Sequence, residues 1–149
     1  MNLSRMMTQS LRKRVAFDFK IFFPPVLKGK SLVAITDRDG SEKLIKRLNQ
    51  DFDLILWSTE EEGLVNEVLF FENHYFSEVH YWEDNAFHWK DVRAINADFL
   101  IDDDPHHLET AMTVDIWDRY ILIDPFGSPK DIEEPFRWAK IIEGALYNG

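Results

Sequence analysis

The chain has 149 residues, 45% of them hydrophobic and 14% aromatic, which predicts one domain with a packed core and excludes disorder. A net charge of −10 argues against non-specific binding to nucleic acid or to an anionic membrane surface. The absence of cysteine excludes disulfides, thiolate zinc sites and a cysteine nucleophile, and no apolar run approaches the roughly 18 residues of a membrane span.

Residues 1–13 carry Arg5, Arg12 and Lys13, no acid and no apolar core, and read as a basic arm on a cytoplasmic protein. A single domain is expected over 14–149. Its elements alternate. Residues 15–19 read as a strand and 32–35 as a second short one, after the turn-rich Pro24-Pro25 and Lys28-Gly29-Lys30. Residues 41–49 have helical spacing, with Leu44 and Leu48 on one face and Asp39 and Glu42 spaced as a capping box. A continuous apolar strand follows at 54–57. Helical period returns over 60–73, alternation over 78–82, and a further helix is expected over 89–95. Residues 99–101 read as strand, 106–114 as a short helix and 120–123 as a last strand. A final helix over 131–147 should turn Ile132, Phe136, Ala139, Ile142 and Leu146 inward. Strand–helix alternation of this kind predicts an α/β fold with a central parallel sheet covered on both faces.

In such sheets ligands bind beyond the carboxyl ends of the strands. The residues standing there are Asp18, Ser58 and the pair Asp102-Asp103, and Lys90 lies in the segment before that pair. Asp102-Asp103-Asp104 bunches like charges ahead of Pro105. A hard cation such as Mg²⁺ needs carboxylates clustered in this way; a plain turn does not. A carboxylate nucleophile, a hydroxyl, a lysine and a metal-binding acidic pair together suit phosphoryl transfer. That reaction needs an attacking oxygen, donors for the equatorial oxygens and cationic charge.

In this order and with these flanks the chain resembles the haloacid dehalogenase-like (HAD) superfamily, from about Val15 to Ile123. Motif two, a strand ending in Ser or Thr, is matched by Leu54-Ile55-Leu56-Trp57-Ser58; motif three, a lysine, by Lys90; motif four, a strand ending in paired acids, by Leu100-Ile101-Asp102-Asp103. The stretch from Leu54 to Asp104 is similar to the capless phosphatase branch. A weaker likeness, to a HAD-like module of RNA-repair proteins, rests on Trp-rich flanks and Asp124-Pro125. The resemblance implies a Rossmannoid three-layer sandwich without a large cap. It also implies Asp18 as nucleophile, Ser58 and Lys90 on the phosphoryl oxygens, and Mg²⁺ held by Asp18, Asp102 and Asp103.

Motif one departs from the family pattern Asp-x-Asp-Gly-Thr. Asp18-Phe19-Lys20-Ile21-Phe22 keeps the nucleophile, puts Lys20 in the acid/base position and lacks the Gly-Thr. A protonated lysine cannot accept a proton from water, so turnover should be weak or absent. A rival register, Asp37-Arg38-Asp39-Gly40-Ser41, spells the pattern more closely but leaves too little chain for the flap that follows motif one. The Asp18 register leaves residues 21–35 for that flap. Two hypotheses follow: a Mg²⁺-dependent phosphohydrolase with an open site for an extended or macromolecular phosphate substrate, or an impaired relative that binds a phosphorylated ligand or partner. A third, a receiver-like phosphoacceptor, would need its acidic pair near the amino terminus.

Plainer roles stand beside these. Asp104 suits an N-cap for the following helix, and Ser58 a cap for the helix over 60–73. His106-His107 is expected to be a surface pair, since adjacent helical residues point apart. Trp82, Trp89, Trp117 and Trp138 are expected in packing rather than in base stacking.

Overall fold

A computed structural model describes residues 12–28, 31–35, 38–72, 75–85 and 87–148. The basic arm up to residue 11 and Asp37 of the rival register lie outside them. Arg12, at the end of the arm, donates to the Asn49 carbonyl at 3.1 Å.

The elements in chain order are β1 (Arg14–Asp18), α1 (Phe19–Phe22), β2 (Pro25–Lys28), β3 (Ser31–Ile35), α2 (Ser41–Asp51), β4 (Asp53–Ser58), α3 (Glu62–Glu72), β5 (Phe76–Tyr81), β6 (Phe99–Asp102), α4 (Pro105–Thr113), β7 (Tyr120–Leu122), α5 (Pro129–Glu133) and α6 (Arg137–Tyr147). Five strands form a parallel sheet in the order β5-β4-β1-β6-β7, with β1 central. Alternation along the strands divides the core. Val15 and Phe17 of β1, Leu54 and Leu56 of β4 and Ile101 of β6 pack with Leu44 and Leu48 of α2, Val65 of α3, and Trp138 and Ile142 of α6. Ala16, Ile55, Trp57 and Leu100 face the other way, onto Trp89, Val92 and Ala111 of α4. The central strands are therefore apolar on both faces, as a covered parallel sheet requires.

The expected strand over 32–35 exists, but it pairs antiparallel with β2 in a separate two-stranded sheet. This hairpin follows β1 after the short helix α1. Asp37–Ser41 thus follow a strand outside the central sheet, whereas Asp18 ends the strand at its centre.

Several local expectations are corrected. The capping box does not form. Gly40 is the N-cap of α2 at φ +85°, Asp39 is exposed, and Glu42 pairs with Lys46 instead. Glycine is needed at that φ, and a Cβ there would also meet the Phe136 ring at 3.2 Å. The final helix is broken into α5 and α6 by Pro135, which cannot donate to a helical ladder and pushes Glu134 out of helical geometry. Ile132 and Phe136 are consequently exposed, while Ala139 and Ile142 are buried as expected. The helix over 89–95 reduces to a 3₁₀ turn, Val92–Ile95. Trp89 and Trp138 are buried in the packing, but Trp117 is 54% exposed.

Candidate active site

Asp18, Ser58 and Asp102 stand at the carboxyl ends of three adjacent strands. Register fixes the arrangement: Asp18 lies opposite Trp57, and Phe17 opposite Ile101, so Asp18 sits between Ser58 and Asp102. Carboxylate oxygens of Asp18, Asp102 and Asp103 all lie within 4.8 Å of one another. No other group of three potential ligands is this compact among the described residues.

Lys90 is buried at the centre. Its Nζ donates to Asp18 Oδ1 at 2.7 Å and to Asp102 Oδ2 at 2.8 Å, and its side chain is 1% exposed. Burial works against the ammonium charge, but Asp18 and Asp102 outweigh it and hold the lysine above its ordinary pKa. The Asp18 carboxyl is pushed up by burial, against the pull of Lys90, with Asp102 adding to the rise. Its second oxygen accepts the Lys20 backbone N–H at 3.1 Å, so the start of α1 fixes its orientation. Asp103, not in contact with Lys90 through a hydrogen bond, is raised to about 6 by burial and by the charges of Asp102 and Asp18. Three carboxylates against one ammonium leave an excess of two negative charges. An all-oxygen set with that excess fits a hard divalent cation.

Lys20 sits two residues beyond Asp18, but its Nζ pairs with Glu60 Oε1 at 3.5 Å, and it is 41% exposed. The lysine bonded to the acids is Lys90; Lys20 makes no ion pair with them and favours the Asp103 carboxylate only from a distance. Ser58 is fully buried, and its Oγ accepts the Glu60 N–H at 2.8 Å. That bond closes a turn ahead of α3 rather than capping the helix itself. Asp104 does cap α4, accepting the His106 N–H at 3.0 Å, with Pro105 in the first turn.

His107, Tyr120 and Arg38 went unrecognised in the sequence. The surface-pair expectation holds for His106 but not for His107, which is buried; its Nδ1 accepts the Lys90 backbone N–H at 3.0 Å. Burial lowers its pKa. The Tyr120 hydroxyl donates to the Lys90 carbonyl at 2.7 Å. Arg38 is buried with its Nη2 on Asp131 Oδ1 and the Asp124 carbonyl, its guanidinium 4.8 Å from the Trp138 ring, and its Nε and Nη1 unpartnered. It is close enough to Asp103 to favour that carboxylate electrostatically. Proximity in space, not in sequence, brings these three to the site. The one available hint was that His107 lies one helical turn beyond Asp103-Asp104.

No cap domain is evident among the described residues: the segment after β1 is a hairpin, and that between β4 and Lys90 holds α3, β5 and a short turn. No described helix is long and apolar enough to cross a membrane.

No protein-family model matches the sequence, and no curated protein matches it significantly. Solved structures do match its fold. One is Fcp1, an essential RNA polymerase II CTD phosphatase, at a TM-score of 0.56 and 15% identity over 97% of this chain and 51% of that one. Another is a variant of the fission yeast Fcp1 bound to beryllium fluoride, at a TM-score of 0.55 and 14% identity over 85% of this chain and 44% of that one. The chain thus spans about half the length of these structures. At such identities the likeness is one of fold, and with the strand order above it makes the architecture a HAD-like Rossmannoid α/β sandwich.

Proposed function

We propose that the chain is a HAD-like Mg²⁺-dependent phosphohydrolase working through an aspartyl-phosphate on Asp18. The observation that carries this reading is the buried group at the strand ends. Asp18 is bound to Lys90 within reach of Asp102 and Asp103, and the net charge suits one divalent cation. Asp18, Asp102 and Asp103 would hold Mg²⁺, which would supply charge to a phosphoryl group. An Asp18 oxygen forms the new bond to phosphorus as the ester oxygen departs with its electron pair. Burial strips water from Asp18, and the Lys20 N–H and Lys90 ammonium fix its direction. Lys90 and the Ser58 hydroxyl would donate to the phosphoryl oxygens. The absence of an evident cap among the described residues suits an extended or macromolecular phosphate substrate, and Fcp1, an RNA polymerase II CTD phosphatase, acts on a substrate of that kind.

Lys20 favours a second reading. General acid–base help contributes about 10²–10⁴-fold, and the residue in that slot is an ammonium paired with Glu60. On this reading the chain binds a phosphorylated ligand or partner and turns over slowly or not at all. Both readings meet one experiment: a crystal soaked in Mg²⁺ and BeF₃⁻, run beside an assay of phosphate release from a generic ester. An adduct on Asp18 with steady, Asp18-dependent release supports the hydrolase. An adduct without release supports the impaired binder. No adduct on Asp18 overturns both.

A further inference from the structure

Lys90 is delivered to the site by irregular chain, not by a helix or strand. Its backbone N–H and carbonyl are buried with it, and either would destabilise the fold if left unpaired. Neither finds a backbone partner in a ladder. The N–H donates to His107 Nδ1 on α4 at 3.0 Å, and the carbonyl accepts from the Tyr120 hydroxyl on β7 at 2.7 Å. The same hydroxyl accepts the Val92 N–H at 3.0 Å, so one oxygen clasps both sides of Asp91. Trp89, the preceding residue, packs its ring against Tyr120 at 6.0 Å and gives its carbonyl to Asn85 Nδ2 at 3.0 Å.

His107 can accept at Nδ1 only if that nitrogen carries no proton, which puts the proton of the neutral ring on Nε2. That atom faces Asp102 Oδ2 at 3.8 Å and Asp104 Oδ2 at 3.9 Å. The imidazole is thus held between the backbone of the lysine and the carboxylate that the lysine's own ammonium reaches. Because α4 begins directly after Asp102-Asp103-Asp104, one rigid unit sets both the acidic group and the lysine's backbone.

We infer that His107 and Tyr120 are positioning residues for Lys90, fixing its backbone so that one ammonium spans Asp18 and Asp102. A lysine side chain loses more rotamer freedom than most when it is held. Anchoring its backbone at both polar groups lets four flexible bonds converge on two acceptors. A shift of about 1 Å at a reacting group can cost about 10²-fold in rate. The catalytic consequence rests on the phosphohydrolase reading; the positioning does not.

The experiment therefore reads Lys90 directly. The protein is treated with a water-soluble acetylating ester, and the modification rate of each lysine is followed by mass spectrometry, with exposed Lys43 as internal reference. Amide exchange of β1 reports global opening. Tyr120→Phe and His107→Leu should each raise the Lys90 rate about tenfold or more relative to Lys43, with β1 exchange unchanged. His107→Asn, whose Oδ1 can take the place of Nδ1, should keep Lys90 protected. Wild-type-like protection in both Tyr120→Phe and His107→Leu overturns the inference. So does a gain in reactivity matched by equal loss of β1 protection, or equal exposure in His107→Asn and His107→Leu. A protein that shows the expected pattern yet hydrolyses no ester keeps the positioning role and loses only the phosphohydrolase reading.

Discussion

The two ends of the central sheet carry the same ionic arrangement put to different use. At the amino ends of the strands, Arg14 of β1 lies between Asp53 of β4 and Glu78 of β5, at 2.8 Å from each. At the carboxyl ends, Lys90 lies between Asp18 of β1 and Asp102 of β6, at 2.7 and 2.8 Å. The Arg14 group is partly open to water, with side chains 22–39% exposed; the Lys90 group is almost sealed, at 1–7%. Arg14 is also fully engaged, donating further to the Asn96 and Ile95 carbonyls. The Lys90 group has a third acid, Asp103, which Lys20 and Arg38 favour electrostatically but not enough to offset burial and the charges of Asp102 and Asp18.

The carboxylates respond oppositely. Burial works to raise Glu78, but hydrogen bonds from His80 and Arg14 outweigh it and hold the acid below its ordinary range. Asp103 is raised to about 6. A cation between two acids is therefore not by itself a sign of function. A sealed ion pair with a further, half-buried acid against it is the distinguishing feature, because selection for stability alone would tend to remove it.

The largest break in this comparison should come from the central cations. Lys90→Met leaves Asp18 and Asp102 buried without their cation, and removing one partner of a buried pair typically costs about 3–5 kcal/mol. Urea unfolding without divalent cation should register that loss, and added Mg²⁺ should recover part of it. A loss below about 1 kcal/mol would place Lys90 with ordinary surface pairs.

Asp103→Asn should act in two directions. The folded state favours the protonated acid, since its pKa lies near 6 against an unfolded value near 4. Its contribution to stability is thus present below about pH 4, declines between 4 and 6, and is lost above 6. The amide removes that penalty, so the metal-free variant should gain about 1–2 kcal/mol at pH 7.5 after allowance for solvent screening. Mg²⁺ affinity by calorimetry should fall in the same variant, and in the wild type it should weaken as pH drops through about 6. Equal affinity in variant and wild type would return Asp102–Asp104 to helix capping alone. Glu78 predicts the reverse sign: being depressed, it supports the fold at neutral pH and loses that support as pH falls through and below the ordinary glutamate range.

Lys20→Asp restores a proton shuttle while leaving Lys90 in place, and Glu60 stands beside it as a like charge. We expect about a tenfold rise in ester hydrolysis, seen only with Mg²⁺. Robust wild-type activity abolished by this change would make Lys20 catalytic or move the nucleophile to Asp37, which Asp18→Asn and Asp37→Asn would resolve. The smallest effect belongs to the open end: Arg14→Met should cost about 0.5 kcal/mol for each pair lost, with no change in Mg²⁺ affinity.

Where the sequence misled, a specific competing force explains it. The run over 131–147 has helical period throughout, but Pro135 within it overrides period and turns Ile132 and Phe136 to solvent. Trp89–Lys90–Asp91 fails to be helical because side chains from α4 and β7 take the backbone bonds a helix would have used. Asp39 does not cap α2 because Gly40 adopts a left-handed φ that starts the helix one residue later. His107 read as a surface residue because the pairing of adjacent helical positions says which two point apart, not which one points inward.

Strand ends are a local property: an apolar run stopped by Asp18, Ser58 or Asp102 is written in the chain, and a parallel α/β sheet gathers such ends on one edge whatever else the molecule does. The sequence alone therefore determined the α/β alternation and the residues that stand at the carboxyl ends of its strands, while strand pairing put β1 at the centre. Only the tertiary structure decided which cation lies among the acids, because Lys90 and Lys20 are equally lysines until burial and reach distinguish them. It likewise decided that Asp103 stands outside the Lys90 ion pairs, and that His107 and Tyr120 bond the Lys90 backbone. Burial and distance between segments far apart in the chain set those properties, and no spacing within a single segment encodes them.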